Sequence, residues 1–176
     1  MGKKQYIIQF GGLPVGSHLF EMDLNQAFFK EFEHSEFSSG QVKAEMELIR
    51  QNNLLTIAFR LEGEVVLPCD RCAKEVPLPI SVDESMVVKY GKPEESTDEI
   101  IVLPQGETEL DVSHLLYEFI YLALPARRVP CEENKNIKCD QAAIKALNAI
   151  QIKKEKKDSI ETNPMWEKLK DLKNKN

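Results

Sequence analysis

The sequence lacks any long hydrophobic run, which argues against a membrane-spanning helix. Such a helix needs about 20 consecutive apolar residues, and no stretch approaches that length. The N-terminal segment MGKKQYIIQFGG has two lysines, but its apolar run from Tyr6 to Phe10 is short and is broken by Gln9. It therefore lacks the hydrophobic segment and the cleavage site of a signal peptide. We expect a soluble, cytoplasmic protein.

The sequence also lacks the short motifs of several common enzyme classes. It contains no GxGxxG, no P-loop, no HExxH and no GxSxG. None of its three histidines stands in a readable nucleophile-and-base arrangement. His114, in the first turn of a predicted helix, is expected to lie at the surface or to cap the helix. We therefore expect a protein without enzymatic activity.

One acidic stretch keeps an enzymatic alternative open. The segment YGKPEESTDEI, residues 90 to 100, contains four acids, namely Glu94, Glu95, Asp98 and Glu99. Carboxylates of this kind bind Mg²⁺ in nucleases that act on precursor RNA, but no metal-site spacing accompanies them here. The composition favours a solvated acidic loop.

The charge is unevenly distributed along the chain. The net charge is −6, from 23 basic and 29 acidic residues. From residue 145 onward there are nine lysines and five acids, so this part carries +4 and residues 1 to 144 carry −10. A basic tail can contact RNA phosphates, or it can be the solvated face of a helix. The acidic body fits a protein partner better than an RNA partner, because RNA is bound mainly through lysines and arginines.

Alternation of apolar and polar residues predicts a body rich in β-strands. The runs with this period are YIIQF (6 to 10), HLFEMDL (18 to 24), QVKAEMELIR (41 to 50), LLTIAFRLEGEVVL (54 to 67) and VPLPISVDESMVVKY (76 to 90). In QVKAEMELIR one face is apolar and the other mostly polar, which is typical of an antiparallel strand with one solvated side. Asn52 and Asn53 predict a turn, so residues 41 to 60 are expected to form a hairpin.

Three segments have helical spacing. Asn25 is the expected cap of a short helix over 25 to 34, Asp111 that of a longer helix over 110 to 125, and Asp140 that of an amphipathic helix. We predict an α+β fold with a mainly antiparallel, strongly bent β-sheet or partial barrel, and the Asp111 helix packed on it. The domain is expected to span residues 1–150, followed by a basic helical tail over 151–176.

The four cysteines are the residues most informative about chemistry. Without an export signal we expect reduced thiols or metal ligands in place of disulfides. Cys69 and Cys72 lie between two strand-like runs, so no helix N-terminus stabilises a redox-active thiolate there. Their spacing suits a metal knuckle, with Cys131 and Cys139 as the second pair, although the seven residues between that pair exceed the usual two to four. A four-cysteine zinc site and unligated thiols both remain open.

Three segments, in this order, resemble one family: VVLPCDRCAKEVPLPI, ELDVSHLLYEFIYLALPARRVPC and NPMWEKLKDL. Together they resemble the YceD family of bacterial and plastid proteins, which is associated with the accumulation of large-subunit (23S) ribosomal RNA. Cys69, Arg71 and Cys72 match the family's C-x-R-C turn, and Asp111 followed by Glu118 matches its helix. Many members have further CxxC pairs downstream, whereas this chain has only CEENKNIKC.

The resemblance implies a non-catalytic ribosome-biogenesis factor that supports processing or accumulation of large-subunit ribosomal RNA. Its partner would be RNA or a ribosome-assembly protein. The candidate contact residues are Arg71, Asp111, Glu118, Arg127 and Arg128. The competing interpretation is a zinc-stabilised structural or adaptor protein with no role in RNA.

Overall fold

The structure is a computed structural model that describes residues 6 to 33, 35 to 52, 54 to 133 and 137 to 150. The chain divides into two compact units, Met1–Ile144 and Lys145–Asn176. The predicted tail over 151–176, with its last helix, lies outside the described residues. The division into a domain of 1–150 and a separate tail therefore stays a prediction.

A five-stranded sheet forms the body of the first unit. Its strands are β2 (Gly16–Leu24), β3 (Ser39–Arg50), β4 (Leu55–Pro68), β5 (Glu75–Tyr90) and β6 (Ile100–Leu103). They lie in the order β2-β3-β4-β5-β6, antiparallel throughout except for the parallel β5–β6 pair. Two short strands, β1 (Ile7–Gln9) and β7 (Glu109–Asp111), form a separate antiparallel pair. A 3₁₀ turn at Pro93–Glu95 precedes β6.

The sheet forms as the alternation predicts. In β3, Val42, Ala44, Met46 and Leu48 are all buried while the residues between them are exposed. β3 and β4 pair residue for residue from Arg50↔Leu55 outward, which confirms the predicted hairpin. One face of the sheet is therefore apolar and covered, and the other is solvated.

The covered face packs against two helices, α1 (Gln26–Phe29) and α2 (Ser113–Leu122). The side chain of Asn25 accepts a hydrogen bond from Ala27 N at 2.8 Å, which confirms the predicted cap. Phe28 and Phe29 of α1 are buried in the main core. In α2, Leu116 and Ile120 are fully buried on one stripe, since residues four apart share a helix face. Burying a side chain of this size contributes about 1.5 to 3 kcal/mol to stability.

The helix predicted over 110 to 125 is shorter than expected at both ends. Leu110 pairs with Ile8 across the β1–β7 ladder, and both side chains are buried. Because of this pairing, residues 110 and 111 of the predicted helix belong to strand β7 instead. The predicted cap is therefore shifted by one residue: Val112 is the N-cap of α2, and Asp111 ends β7, although its side chain accepts a hydrogen bond from Ser113 N at 2.9 Å. The helix ends at Leu122, ahead of the proline at position 125, as the restriction on residues before proline requires.

The α+β class and the mainly antiparallel sheet are confirmed. Among the described strands the sheet is open, with β2 at one edge and β6 at the other, and does not close into a barrel. None of the helices in the described part of the chain combines the length and the hydropathy that a membrane span requires.

Candidate metal centre

Cys69 and Cys72 lie in the tight turn that joins β4 to β5. Cys69 N donates to Lys74 O at 2.9 Å, and Ala73 N donates to Cys69 O at 2.8 Å. Ala73 has φ of 57°, the left-handed conformation that ordinary residues rarely adopt. The backbone is thereby folded tightly around the two sulfur atoms, and both cysteines are buried.

Cys131 and Cys139, from the C-terminal part of the domain, pack next to Cys69 and Cys72. Cys131 is in α3 (Pro130–Glu133), and Cys139 directly precedes the cap residue of α4 (Gln141–Ile150). Their Sγ atoms are in disulfide contact, with the Cα atoms 5.6 Å apart. Cys131 and Cys139 are thus paired with each other in this structure, where reduced thiols or metal ligands were expected.

Three of the sulfur atoms form a cluster suited to a metal ion. The Sγ atoms of Cys69, Cys72 and Cys131 all lie within 4.8 Å of one another, and those of Cys69 and Cys131 are 3.5 Å apart. Sulfur ligands of a tetrahedral zinc lie about 3.8 Å apart, since each Zn–S bond is about 2.3 Å. Once the Cys131–Cys139 contact is reduced, these three cysteines are placed to hold a metal ion, and Cys139 adjoins them through Cys131.

No second cluster of three His, Cys, Asp or Glu side chains close enough for a metal occurs in the ranges that the structure describes. The four acids at positions 94, 95, 98 and 99 are all exposed. Among the described residues, these four carboxylates are not gathered with a further ligand into the kind of site that a metal-dependent nuclease uses.

The surroundings of Cys72 favour its thiolate. Hydrogen bonds from the backbone N–H of Asp140, and then of Lys74, lower the pKa of Cys72 below its ordinary value. Donors aimed at a sulfur stabilise its negative charge. Because metals bind the thiolate and not the thiol, this arrangement prepares Cys72 as a ligand.

An ion-paired arginine ties the two cysteine-bearing segments together. Arg128 donates from its backbone N to Asp70 Oδ2 at 2.6 Å and from Nε to Asp70 Oδ1 at 3.2 Å. Asp70 N returns a hydrogen bond to Arg128 O at 3.0 Å. The guanidinium also reaches Glu36 Oε2 at 2.6 Å, and this hydrogen bond, ahead of the charge of Asp70, raises the pKa of Arg128.

The cysteines sit in a small hydrophobic cluster separate from the main core. Its buried members are Cys69, Cys72, Val76 and Val129, and Ile137, Ala143 and Ile144 are partly buried against them. A cluster of this size buries too little apolar surface to be stable alone. A covalent or metal crosslink is the kind of interaction that stabilises clusters of this size.

The other predicted contact residues form two groups. Arg71, in the turn between Cys69 and Cys72, and Arg127, next to Arg128, adjoin the cysteine cluster in the chain, whereas Asp111 lies just before α2 and Glu118 within it. Arg71 and Arg127 are exposed, and each has an interaction partner. Asp111 and Glu118 are exposed and line a groove of 510 Å³ beside α2, together with Tyr6, Glu31, Phe32, Glu33, Ser113, His114 and Tyr117. Burial, and then the charge of Glu31, raise the pKa of Tyr6, which also lines this groove. Asp111 and Glu118 thus share one surface that the arginines do not line.

The sequence did not reveal the link between Asp70 and Arg128. The two residues are 58 positions apart, and no local pattern connects them. The positive φ of Ala73 also had no sequence signal, because Gly, Asn and Asp, and not Ala, are the residues that usually adopt it.

Together these features define a class: an α+β protein with an open antiparallel sheet, whose central hairpin ends in a cysteine cluster completed by a downstream segment. The chain matches the family model described as "Large ribosomal RNA subunit accumulation protein YceD" over residues 57–173. Because the match covers most of the chain and includes all four cysteines, the protein belongs to the YceD family. No curated protein and no solved structure matches it.

Proposed function

We propose that this protein is a non-catalytic, cytoplasmic factor that supports the accumulation of large-subunit ribosomal RNA. The observation that carries the proposal is the family match over residues 57–173, which begins in β4 and contains the whole cysteine cluster. The role named for the family fits a chain in which we find no catalytic motif.

We further propose that the four cysteines, when reduced, hold one zinc ion as a structural crosslink. Support comes from the three clustered sulfurs, the lowered pKa of Cys72 and the small size of the surrounding hydrophobic cluster. Zinc would join the β4–β5 turn to the segment before α4, and no chemical step is assigned to it.

The charge of the body favours a protein partner over a direct grip on RNA phosphates. Residues 1 to 144 carry −10, and Arg128 is already paired with Asp70 and Glu36. A protein that binds RNA electrostatically would lose affinity steeply with salt. Here we expect the purified protein to bind large-subunit RNA weakly and without a steep salt dependence.

The test of the function is depletion of the protein in its own cell. We expect the ratio of mature large-subunit to small-subunit ribosomal RNA to fall, and re-expression of the wild-type chain to restore it. An unchanged ratio would remove the proposal.

The zinc proposal has a separate test. Protein purified under reducing conditions without added metal should contain about one equivalent of zinc, because four thiolates bind zinc tightly. Cys72→Ser should lose it, whereas Val76→Ala, a truncation in the same cluster that removes no ligand, should retain it. A content below about 0.2 equivalents in the wild type would leave the cysteines without a metal role.

A further inference from the structure

The edge strand β2 has the features of a docking site for another strand. It has nine residues, GSHLFEMDL, and pairs one for one with β3 from Gly16↔Arg50 to Leu24↔Val42. Within the described residues no strand pairs with its other side. In an antiparallel pair, alternate residues of an edge strand direct their N–H and C=O groups away from the sheet. β2 therefore presents a row of backbone groups for pairing.

This edge lacks most of the devices that prevent strand addition. β2 contains no proline and no lysine, and its continuous register with β3 leaves no bulge. Long, regular edges of this kind pair readily with other chains unless charges prevent it. The charges present are those of Glu21 and Asp23, both on the solvated face.

The apolar side of β2 is incompletely covered. Phe20 and Met22 are only partly buried against the main core, although their cross-strand partners Met46 and Ala44 are fully buried. On the opposite face Leu19 is 79% exposed. An added strand would cover these side chains and would extend the core by one row.

The solvated side of the same edge is acidic. Four carboxylates lie on this face of two adjacent strands: those of Glu21 and Asp23 in β2, and those of Glu45 and Glu47 in β3. Glu21 lies opposite Glu45, and Glu47 lies opposite Leu19. Lys43 is the basic residue among them, 3.3 Å from Glu21 and 3.0 Å from Glu45. The edge therefore carries a net negative charge.

We propose that β2 binds an extended, lysine- or arginine-rich segment of another protein by strand addition. Backbone pairing and the cover of Phe20 and Met22 would give affinity, and the carboxylates would select basic side chains on the solvated face. A second copy of this chain fits less well, since it would bring two sets of Glu21 and Asp23 together. The inference rests on the proposed function, and it names the chemistry of the partner.

The test uses a peptide of alternating lysine and valine, matched in length to β2, and a glutamate–valine peptide as its counterpart. We expect the lysine peptide to bind and the glutamate peptide not to bind. On binding, the outward amides of β2 should exchange with deuterium more slowly, because strand addition places them in hydrogen bonds.

The variant is Glu21→Gln with Asp23→Asn, and the matched control is Glu94→Gln with Glu95→Gln, which changes the net charge equally in an exposed turn. Neutral side chains are used because Asp23 pairs with Lys43 in register, and a lysine at position 23 would oppose Lys43 and disturb the β2–β3 pairing. The β2 variant should weaken binding by about fivefold or more, from two lost cross-strand charge pairs. Equal weakening in the control, protection of amides outside β2, or no binding of the lysine peptide would each overturn the inference.

The same β2 variant separates this inference from the proposed function. If depletion lowers large-subunit RNA and the variant restores it fully, the edge is not the partner site, although the function stands. If depletion leaves the ratio unchanged while the peptide binds at β2, the edge is a binding site in a protein with another role. Failure of the variant to restore the ratio, with the control restoring it, supports both.

Discussion

Removal of the Asp70 side chain should weaken the cysteine centre more than removal of any comparable surface carboxylate. Asp70 accepts two hydrogen bonds from Arg128, at 2.6 Å from the backbone N and at 3.2 Å from Nε. These bonds join the turn between Cys69 and Cys72 to the segment that leads into Cys131. Asp70→Ala breaks both, and it leaves the backbone of the turn otherwise unchanged.

The magnitude follows from the exposure of the pair. A hydrogen bond to a charged group contributes about 1.5 to 3 kcal/mol to stability. The side chains of Asp70 and Arg128 are 37% and 22% exposed. Partial solvation reduces the expected cost to about 1 to 2 kcal/mol. If the cysteines bind zinc as proposed, the pair orients ligands that it does not itself touch, and zinc affinity should fall by about 10- to 100-fold.

Asp83→Ala is the matched control. Asp83 pairs with Arg60 Nε at the same 3.2 Å, but those side chains are 73% and 61% exposed on the solvated face of the sheet. Exposed pairs contribute about 0 to 1 kcal/mol, so this variant should unfold almost as the wild type does.

Two assays measure the difference. Urea denaturation of the zinc-loaded protein gives the free energy of unfolding, and competition with a coloured chelator gives the zinc affinity. If Asp70→Ala and Asp83→Ala behave alike in both, Arg128 does not hold the cysteine segments together and the reasoning is refuted.

Three further results are expected. The folded-state pKa of Cys72 is lowered, so the thiolate stabilises the reduced, metal-free protein above the unfolded pKa of about 8.5, and this contribution is lost as the pH falls through the lowered pKa. The difference in the free energy of unfolding between wild type and Cys72→Ala, measured in urea, should therefore be larger near pH 9 than near pH 6. A difference that grows at low pH would contradict this. Ala73→Gly should raise the free energy of unfolding by about 0.5 to 1 kcal/mol, since glycine adopts the positive φ without strain, and a destabilised variant would argue against that conformation. Gly63→Ala should lower the free energy of unfolding by about 1 to 3 kcal/mol, because its Cβ would overlap the backbone of Gln41 and Val42 in β3. An unchanged midpoint of unfolding in a thermal scan would show that the two strands can separate at this position.

The proposed zinc ion would contribute to the proposed role by stabilising one end of the domain. The cysteine cluster fastens the far end of the β4–β5 hairpin to the segment before α4. Loss of the proposed metal should loosen that end of the domain first, since the Asp70–Arg128 link and a small hydrophobic cluster are then left to hold it. β2, at the edge of the sheet, is anchored independently by its full register with β3. Peptide binding at β2 should therefore survive removal of zinc.

The sequence by itself determined the four long strands β2 to β5, the caps at Asn25 and Asp140, and the class of fold. Each of these depends on interactions between residues close in the chain: the alternation in β3, the side chain of Asn25 on Ala27 N, and Asp140 on Ala142 N at 2.8 Å. Local patterns of this kind are visible in the order of residues because period and spacing alone specify them. The family resemblance likewise followed from motifs in their order along the chain.

Only the tertiary structure decided which distant groups meet. The Cys69–Cys131 contact spans 62 positions, the Asp70–Arg128 pair spans 58, and the strand at Glu109–Asp111 exists because it pairs with Ile7–Gln9 near the other end of the chain. The exposed edge of β2 is also a property of strand order, which alternation does not specify. Contacts of this kind depend on how the sheet and its loops close in space, and a single sequence carries no local signal of that closure.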